Sequence, residues 1–330
     1  MLDKIKTRIE KEIRCYLRDL DTNYRFKTLS PVLFDHVRDL LMQSGKRIRP
    51  ILFVAGYLGF AKKPAPRLYT SALSMELLHN FVLVHDDIID RSDTRRGSPS
   101  VHNMLGKYLS KYRDVKCTGQ DLAIILGDVL YALGIAAFLT IDEDAKRKEL
   151  ASKKVIDAAI YTGAGEFAEL LSETIDIGAM TADDIYRIYD LKTGIYSFST
   201  PLVAGAILAG AKEKDLDALF KCGIYLGRAF QIKDDLSDLV EAKKTIILLH
   251  AYRVSGKKER AAIKNILKKD TVHRLDLLKA RKIIISSGAI EFAENEIKRF
   301  TNKAISFCIK AGMRQPYKDL LINYSNELAS

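Results

Sequence analysis

Apolar residues recur at three- and four-residue spacing through nearly the whole chain of 330 residues, and runs that alternate apolar with polar are scarce. That periodicity matches one face of an α-helix rather than a pleated strand, so the sequence reads as all-α. Only seven prolines punctuate it. The spacing predicts helices over residues 5–20, 31–43 and 50–60, the second stopped at Ser44-Gly45 and the third followed by a loop with Pro64 and Pro66. A long fourth helix covers 67–90. Beyond the Arg95-Arg96-Gly97 turn, 120–139 reads as a central apolar helix and 146–172 as the next. Thr181, with Asp184 three residues on, signals the cap of a helix that continues through 192–210. Residues 216–239, 244–254 and several basic helices complete the chain. No low-complexity linker or repeat divides it, which predicts one domain over residues 1–330, a bundle of about ten or more helices.

The net charge of +11 and pI near 9.3 attract polyanions of any kind: phosphates, acidic lipids or nucleic acid. Cys15, Cys117, Cys222 and Cys308 are far apart with no CxxC pair, so neither a zinc site nor a disulfide framework is indicated, and a reducing cytoplasm is expected. Residues 1–17 are charged throughout and lack the apolar core of a signal peptide. The longest apolar run, 129–141, falls short of the roughly 20 residues that span a bilayer, so no stable membrane insertion is expected.

One stretch departs from the helical pattern. LVHDDIIDRSDTRRG, residues 83–97, follows an apolar run with three carboxylates in five residues, then a fourth and three arginines. At about 100° per residue, Asp86 and Asp90 point the same way, and Glu76, His79 and Leu83 share roughly that arc. Same-face carboxylates repel, and burial sharpens the repulsion, so a partner charge is required. By itself the cluster reads equally as a solvated helix end in which Asp87 or Asp90 pairs with Arg91, Arg95 or Arg96. Hard ions such as Mg²⁺ accept one or two carboxylates and complete their shell with water and phosphate oxygens, and the arginine fork suits phosphate.

A second stretch repeats the device. In GRAFQIKDDLSDL, residues 227–239, Gln231, Asp234, Asp235 and Asp238 stand at i, i+3, i+4 and i+7, a polar stripe on an otherwise apolar helix. Two such stripes brought face to face would form a carboxylate cage for more than one Mg²⁺ above a hydrophobic space between helices. A cage of that kind binds a diphosphate. The chain has no GxxxxGK[ST] segment, so metal and basic side chains must hold the phosphate instead.

Five blocks in order resemble the trans-isoprenyl diphosphate synthase (polyprenyl synthetase) family, with a pattern similar to archaeal geranylgeranyl diphosphate synthases. They are GKRIRP (45–50), ELLHNFVLVHDDIIDRSDTRRGSPSVH (76–102), LGDVLYALG (126–134), KTG (192–194) and GRAFQIKDDLSD (227–238). The resemblance implies the isoprenoid synthase fold, a helical bundle around a deep central cavity, and a homodimer. It implies a prenyltransferase that joins isopentenyl diphosphate head-to-tail to dimethylallyl, geranyl or farnesyl diphosphate. Asp86, Asp90, Asp234 and Asp238 would bind Mg²⁺, about two or three ions, with Asp87 and Asp235 behind them. Arg95, Lys192, Thr193, Gln231 and Lys244 would hold the allylic diphosphate, and Lys46, Arg49, His79 and Arg96 the isopentenyl diphosphate. Arg95 and Lys192 with the metal-bound aspartates form the electrostatic clamp on the leaving diphosphate. By family analogy the released pyrophosphate takes the proton. Phe81 and Val82, just upstream of the first aspartate motif, would set chain length, with the C20 geranylgeranyl product favoured and C15 and C25 open. Helical periodicity places Phe81 about 140° from Asp86 and does not by itself turn it into the cavity.

Two features depart from the family pattern. Asp238 runs almost directly into Glu241-Ala242-Lys243-Lys244-Thr245, where relatives carry a longer glycine- and lysine-containing loop. A helix in which relatives show Gln and Asp reads Gly165-Glu166-Phe167-Ala168-Glu169. Three rival readings make distinct expectations. A terpene cyclase would carry an Asn-Ser/Thr-Glu second site, a non-catalytic partner subunit would lose an aspartate motif, and a basic nucleic-acid binder would use the lysines and arginines of 257–282. The retained pair of aspartate motifs favours the synthase, with small prenyl diphosphates rather than nucleic acid as its partners.

Overall fold

A computed structural model describes all residues except Arg96, Asp238, Val240, Glu241, Ala242, Asp270 and Thr271. Among the described residues the chain is all-α apart from a two-residue hairpin. It forms two compact units, residues 1–54 with 62–152, and residues 55–61 with 153–330.

The first unit holds α1 (Leu2–Tyr24), α2 (Phe26–Leu29), α3 (Pro31–Met42), the first half of α4 (Ile48–Phe60), α5 (Leu68–Ile89), β1 (Thr94–Arg95) paired with β2 (Ser98–Pro99), α6 (Val101–Leu109), α7 (Gly119–Phe138) and the start of α8 (Ala145–Ser172). The predicted helices are present, most with ends within two residues, because the apolar stripe that defines each in sequence is the face it buries. In α1 that stripe is Ile5, Ile9, Ile13, Tyr16, Leu17 and Leu20. Helices α5 and α7 pack side by side, and Phe53 meets Phe138 edge-on in the core, with ring centroids 5.9 Å apart. The apolar run read as 129–141 covers the second half of α7 and three residues beyond its end. Over 20 residues this helix is, by length and composition, long and apolar enough to cross a membrane, and 44% of its apolar window is buried within the protein.

The second unit contains the rest of α4 and α8, then α9 (Ala182–Tyr189), a π-helical segment (Asp190–Ser199), α10 (Thr200–Leu208), α11 (Glu213–Ser237), α12 (Ile246–Val254), α13 (Lys257–Leu267), α14 (Arg274–Ser286), α15 (Ala289–Lys310) and α16 (Gln315–Ala329). The capping signal at Thr181 is a full capping box: its hydroxyl accepts from the Asp184 N–H, and the Asp184 carboxylate accepts from the Thr181 N–H. Helix α11 is the centre of the unit, flanked by the π segment and α15. Glycine permits the first of these contacts, because a Cβ on Gly227 would stand 2.3 Å from the Gly194 Cα. The predicted helix through 192–210 runs unbroken from Ala182 to Leu208, but its middle, Asp190–Ser199, is wound as a π-helix. Wider π winding changes which residues face α11, and it brings Lys192 and Thr193 onto a turn of a kind often found at functional sites.

Candidate active site

In the first unit the carboxylates at the end of α5 divide their work. Asp87 is buried and takes the Arg95 guanidinium on one oxygen, at 2.8 Å from Nε and 2.5 Å from Nη2. Arg95 Nη2 also reaches Asp86 Oδ2 at 3.3 Å. Asp86 is half-buried and Asp90, the C-cap, is exposed. Burial works against the Arg95 charge, but Asp87 and Asp86 outweigh it and raise its pKa. Arg95 reaches them from the β1–β2 hairpin, whose turn contains Gly97 at φ +77°, a left-handed conformation that suits glycine.

The basic segment before α4 is anchored by a residue between the two predicted ones. Arg47, itself left-handed at φ 52°, is buried and donates to Glu76 Oε2 (2.7 Å), Glu10 Oε1 (2.8 Å) and the carbonyls of Leu41 (2.7 Å) and Gln43 (2.6 Å). Glu76 lies on α5 one turn before His79, so this ion pair ties the segment carrying exposed Lys46 and half-buried Arg49 to the helix that carries half-buried His79. Further along α5, Phe81 packs against His85 (4.8 Å) and against Tyr131 of α7 (5.3 Å). Gly127 makes room for this arrangement, since a Cβ there would meet His85 Nε2 at 2.3 Å.

In the second unit a hydrogen-bonded chain crosses from the π segment to α11 and α12. Thr193 Oγ1 donates to Gln231 Oε1 (2.7 Å), and Gln231 Nε2 donates to Asp235 Oδ1 (3.1 Å). Tyr189 donates to the other Asp235 oxygen and accepts from the Ile246 N–H (3.1 Å). Lys192 is clasped by two carboxylates of α8, Glu166 Oε2 at 2.6 Å and Glu169. Its ammonium is disfavoured by burial, yet Glu169 and Glu166 hold its pKa above the ordinary value. The ammonium of Lys244 donates to three carbonyls at the C-terminal end of α8, Ser172 (2.7 Å), Glu173 (2.9 Å) and Ile175 (2.7 Å). All three of its donors are thereby engaged, and contact with a diphosphate would require their release.

Among the described residues no group of three or more His, Cys, Asp or Glu is preassembled around a metal position. Asp86 with Asp90, and Asp234 on its own helix, instead offer sparse carboxylates of the kind Mg²⁺ uses when water and substrate phosphate complete its shell, so the donor set fits that ion.

The Polyprenyl synthetase family model matches residues 30–284. The chain belongs to the polyprenyl synthetase family. It is similar to the short chain isoprenyl diphosphate synthase of Methanocaldococcus jannaschii, at 29% identity over 89% of this chain and 85% of that protein. It is 30% identical to the geranylfarnesyl diphosphate synthase of Aeropyrum pernix, over 80% of this chain and 83% of the relative. Its fold matches that of geranylgeranyl pyrophosphate synthase from Corynebacterium glutamicum, crystallised with isoprenyl diphosphate and magnesium, with TM-score 0.89, 22% identity and coverage of 100% and 99% of the two chains. This polyprenyl synthetase is thus a prenyltransferase, a trans-prenyl diphosphate synthase.

Within this polyprenyl synthetase, Asp86 and Arg95 meet directly, as do Thr193 and Gln231, whereas Arg96 and Asp238 lie outside the described residues. Arg47 and Tyr189 were not legible as site residues: Arg47 resembles its basic neighbours in sequence, and Tyr189 carries no motif. Asp235 supplies a pH signature. Burial first, and then the charge of Asp234, push its pKa from 3.8 to about 6, against the hydrogen bonds from Tyr189 and Gln231. A carboxyl whose folded pKa is raised stabilises the fold below its unfolded pKa and loses that contribution as pH climbs through the folded value. In metal-free buffer the protein is therefore expected to lose about 2 kcal/mol from this group between pH 4 and pH 6.5. Denaturant titrations across that window should show the slope, and Asp235→Asn should flatten it.

Proposed function

We propose that this synthase is Mg²⁺-dependent and condenses isopentenyl diphosphate head-to-tail with an allylic diphosphate, Asp86, Asp90, Asp234 and Asp238 together holding the metal. The observation that carries this reading is that a phosphate-type cation is parked on carboxylates in each unit: Arg95 on Asp87 and Asp86, Lys192 on Glu166 and Glu169. Each can exchange a carboxylate for a diphosphate oxygen at little electrostatic cost. Mg²⁺, when bound, neutralises charge on the diphosphate oxygens. Arg95, Lys192, Thr193 and Gln231 grip the allylic diphosphate, joined by Lys244 once its α8 carbonyls are released, while Lys46, Arg49, His79 and Arg96 hold the isopentenyl diphosphate.

The allylic C–O bond breaks with its electron pair leaving on the diphosphate, whose growing charge Arg95 and Lys192 stabilise. The isopentenyl double bond then attacks the allylic cation, and the proton next to the new cationic carbon passes to the released pyrophosphate. The apolar cavity that the family fold implies would exclude the water that otherwise quenches the cation. Incubation with Mg²⁺, labelled isopentenyl diphosphate and each allylic primer tests the reading. A chain-extended prenyl diphosphate that forms only when both substrates and Mg²⁺ are present is the expected product, and hydrolysis or cyclisation of the allylic substrate alone contradicts it.

A C20 product is proposed because Phe81 is held in place by His85 and Tyr131, which leaves a fixed aromatic five residues before the first aspartate motif. Phe81→Ala should shift the product distribution to C25 and longer, read by reversed-phase chromatography of the dephosphorylated alcohols. An unchanged C20 peak removes Phe81 from control of chain length. The proposal includes a homodimer, supported by an exposed apolar stripe along α8 made of Ile156, Ile160, Phe167 and Leu171, all within about 60° of one another on the helix. Sedimentation velocity should then give a mass of two chains, and Ile160→Asp with Phe167→Asp should give one.

A further inference from the structure

The C-terminal part of the second unit carries a surface that the condensation does not use. Helix α14 buries Ala280, Ile283 and Ile284. Its opposite side exposes Leu275 (79%), Ile285 (54%) and Leu278 (49%). Arg274, Lys279, Arg281 and Lys282 are exposed on that same side, and at 100° per residue all seven side chains fall within an arc of about 160°. The only acidic residue of the helix, Asp276, is turned aside: its carboxylate accepts from the His273 N–H at the helix start and pairs with Lys269 Nζ at 2.6 Å. The outer face therefore shows four cations, three large aliphatic side chains and no anion.

We infer that this face docks the protein reversibly on a lipid bilayer bearing anionic headgroups. Leu275 and Ile285 are about 15 Å apart along the helix axis, so α14 can lie in the interfacial plane with its aliphatic side chains below the headgroups and its cations level with the phosphates. The long stems of lysine and arginine allow that placement. The charge complements a bilayer and opposes a second copy of the chain, because a two-fold contact through this face would set four cations against four. Nucleic acid would satisfy the cations but leave Leu275, Leu278 and Ile285 without apolar partners.

Sedimentation of the full-length protein with sucrose-loaded vesicles tests this, without substrate or metal, so the result stands apart from the proposed chemistry. The protein should pellet with vesicles of phosphatidylcholine mixed with phosphatidylglycerol and not with phosphatidylcholine alone, and added salt should weaken the association. Each cation near an anionic surface contributes about fivefold, so Lys279→Gln with Lys282→Gln should weaken binding roughly 25-fold. Leu275→Ser with Leu278→Ser should weaken it at least tenfold, and both double variants should keep wild-type condensation rates in vesicle-free buffer. No binding to anionic vesicles, or binding that survives both double variants, overturns the inference. So does tight binding of single-stranded RNA, or self-association, that the same variants abolish without any vesicle affinity in the parent.

Discussion

Asparagine at Asp86 or at Asp234 is expected to lower turnover of the condensation by about a thousandfold, because the amide keeps the shape of the side chain but not the charge proposed to hold Mg²⁺ against the diphosphate. The loss should fall on kcat more than on the KM for isopentenyl diphosphate, whose proposed contacts are Lys46, Arg49, His79 and Arg96. Asp86 is only half-buried and its hydrogen bond from Arg95 is long at 3.3 Å, so Asp86→Asn should change stability by less than about 1 kcal/mol. Steady-state assays with labelled isopentenyl diphosphate and melting curves separate the two effects. Either variant retaining more than about a tenth of wild-type turnover would remove that carboxylate from the metal site.

Arg47→Met should be the most destabilising single change in the first unit. The Arg47 side chain is 2% exposed and its partner Glu76 7%, so methionine fills much of the volume but strands a buried carboxylate. Breaking one side of such a pair costs about 3–5 kcal/mol, which for a chain of this size lowers Tm by roughly 4–7 °C. Replacing both partners, Arg47→Met with Glu76→Met, should recover much of the loss, because no unpaired charge remains. The segment carrying Lys46 and Arg49 loses its tether to α5 in either case, so the KM for isopentenyl diphosphate should rise. A Tm within about 2 °C of wild type would show that the four donated hydrogen bonds do not hold this segment.

The helices were legible because burial and periodicity are the same fact seen from two sides: residues such as Ile9 and Ile13 recur at helical spacing because they face one core. The capping box at Thr181 and Asp184 could be read for the same reason of locality, since both partners lie within one turn. Features that depend on distant partners left no such trace. What sets Arg47 apart from its basic neighbours includes its partners Glu10 and Glu76, 37 and 29 residues away. The π winding at Lys192 changes hydrogen-bond register without changing composition, and the capping of α8 by Lys244 joins residues about 70 apart. The extent of α7 was legible at both ends, 120–139 against Gly119–Phe138; its unbroken apolar run is shorter because Gln120, Asp121 and Asp128 interrupt the first half while Ala123, Leu126 and Gly127 continue the buried side. In the site, the residue types for gripping diphosphate were visible in the motifs. Glu166 and Glu169 were visible only as a departure from relatives, and their hold on Lys192 needed coordinates.

In the proposed reaction the aspartates near residue 86 and those near residue 234 act on one diphosphate. Anomalous diffraction from crystals grown with Mn²⁺ and a non-ionising allylic thiolodiphosphate tests it most directly. Mn²⁺ peaks that link a single diphosphate to carboxylate oxygens of both Asp86 and Asp234 are expected. Peaks confined to one of the two aspartate sets, or a separate diphosphate at each, would contradict it.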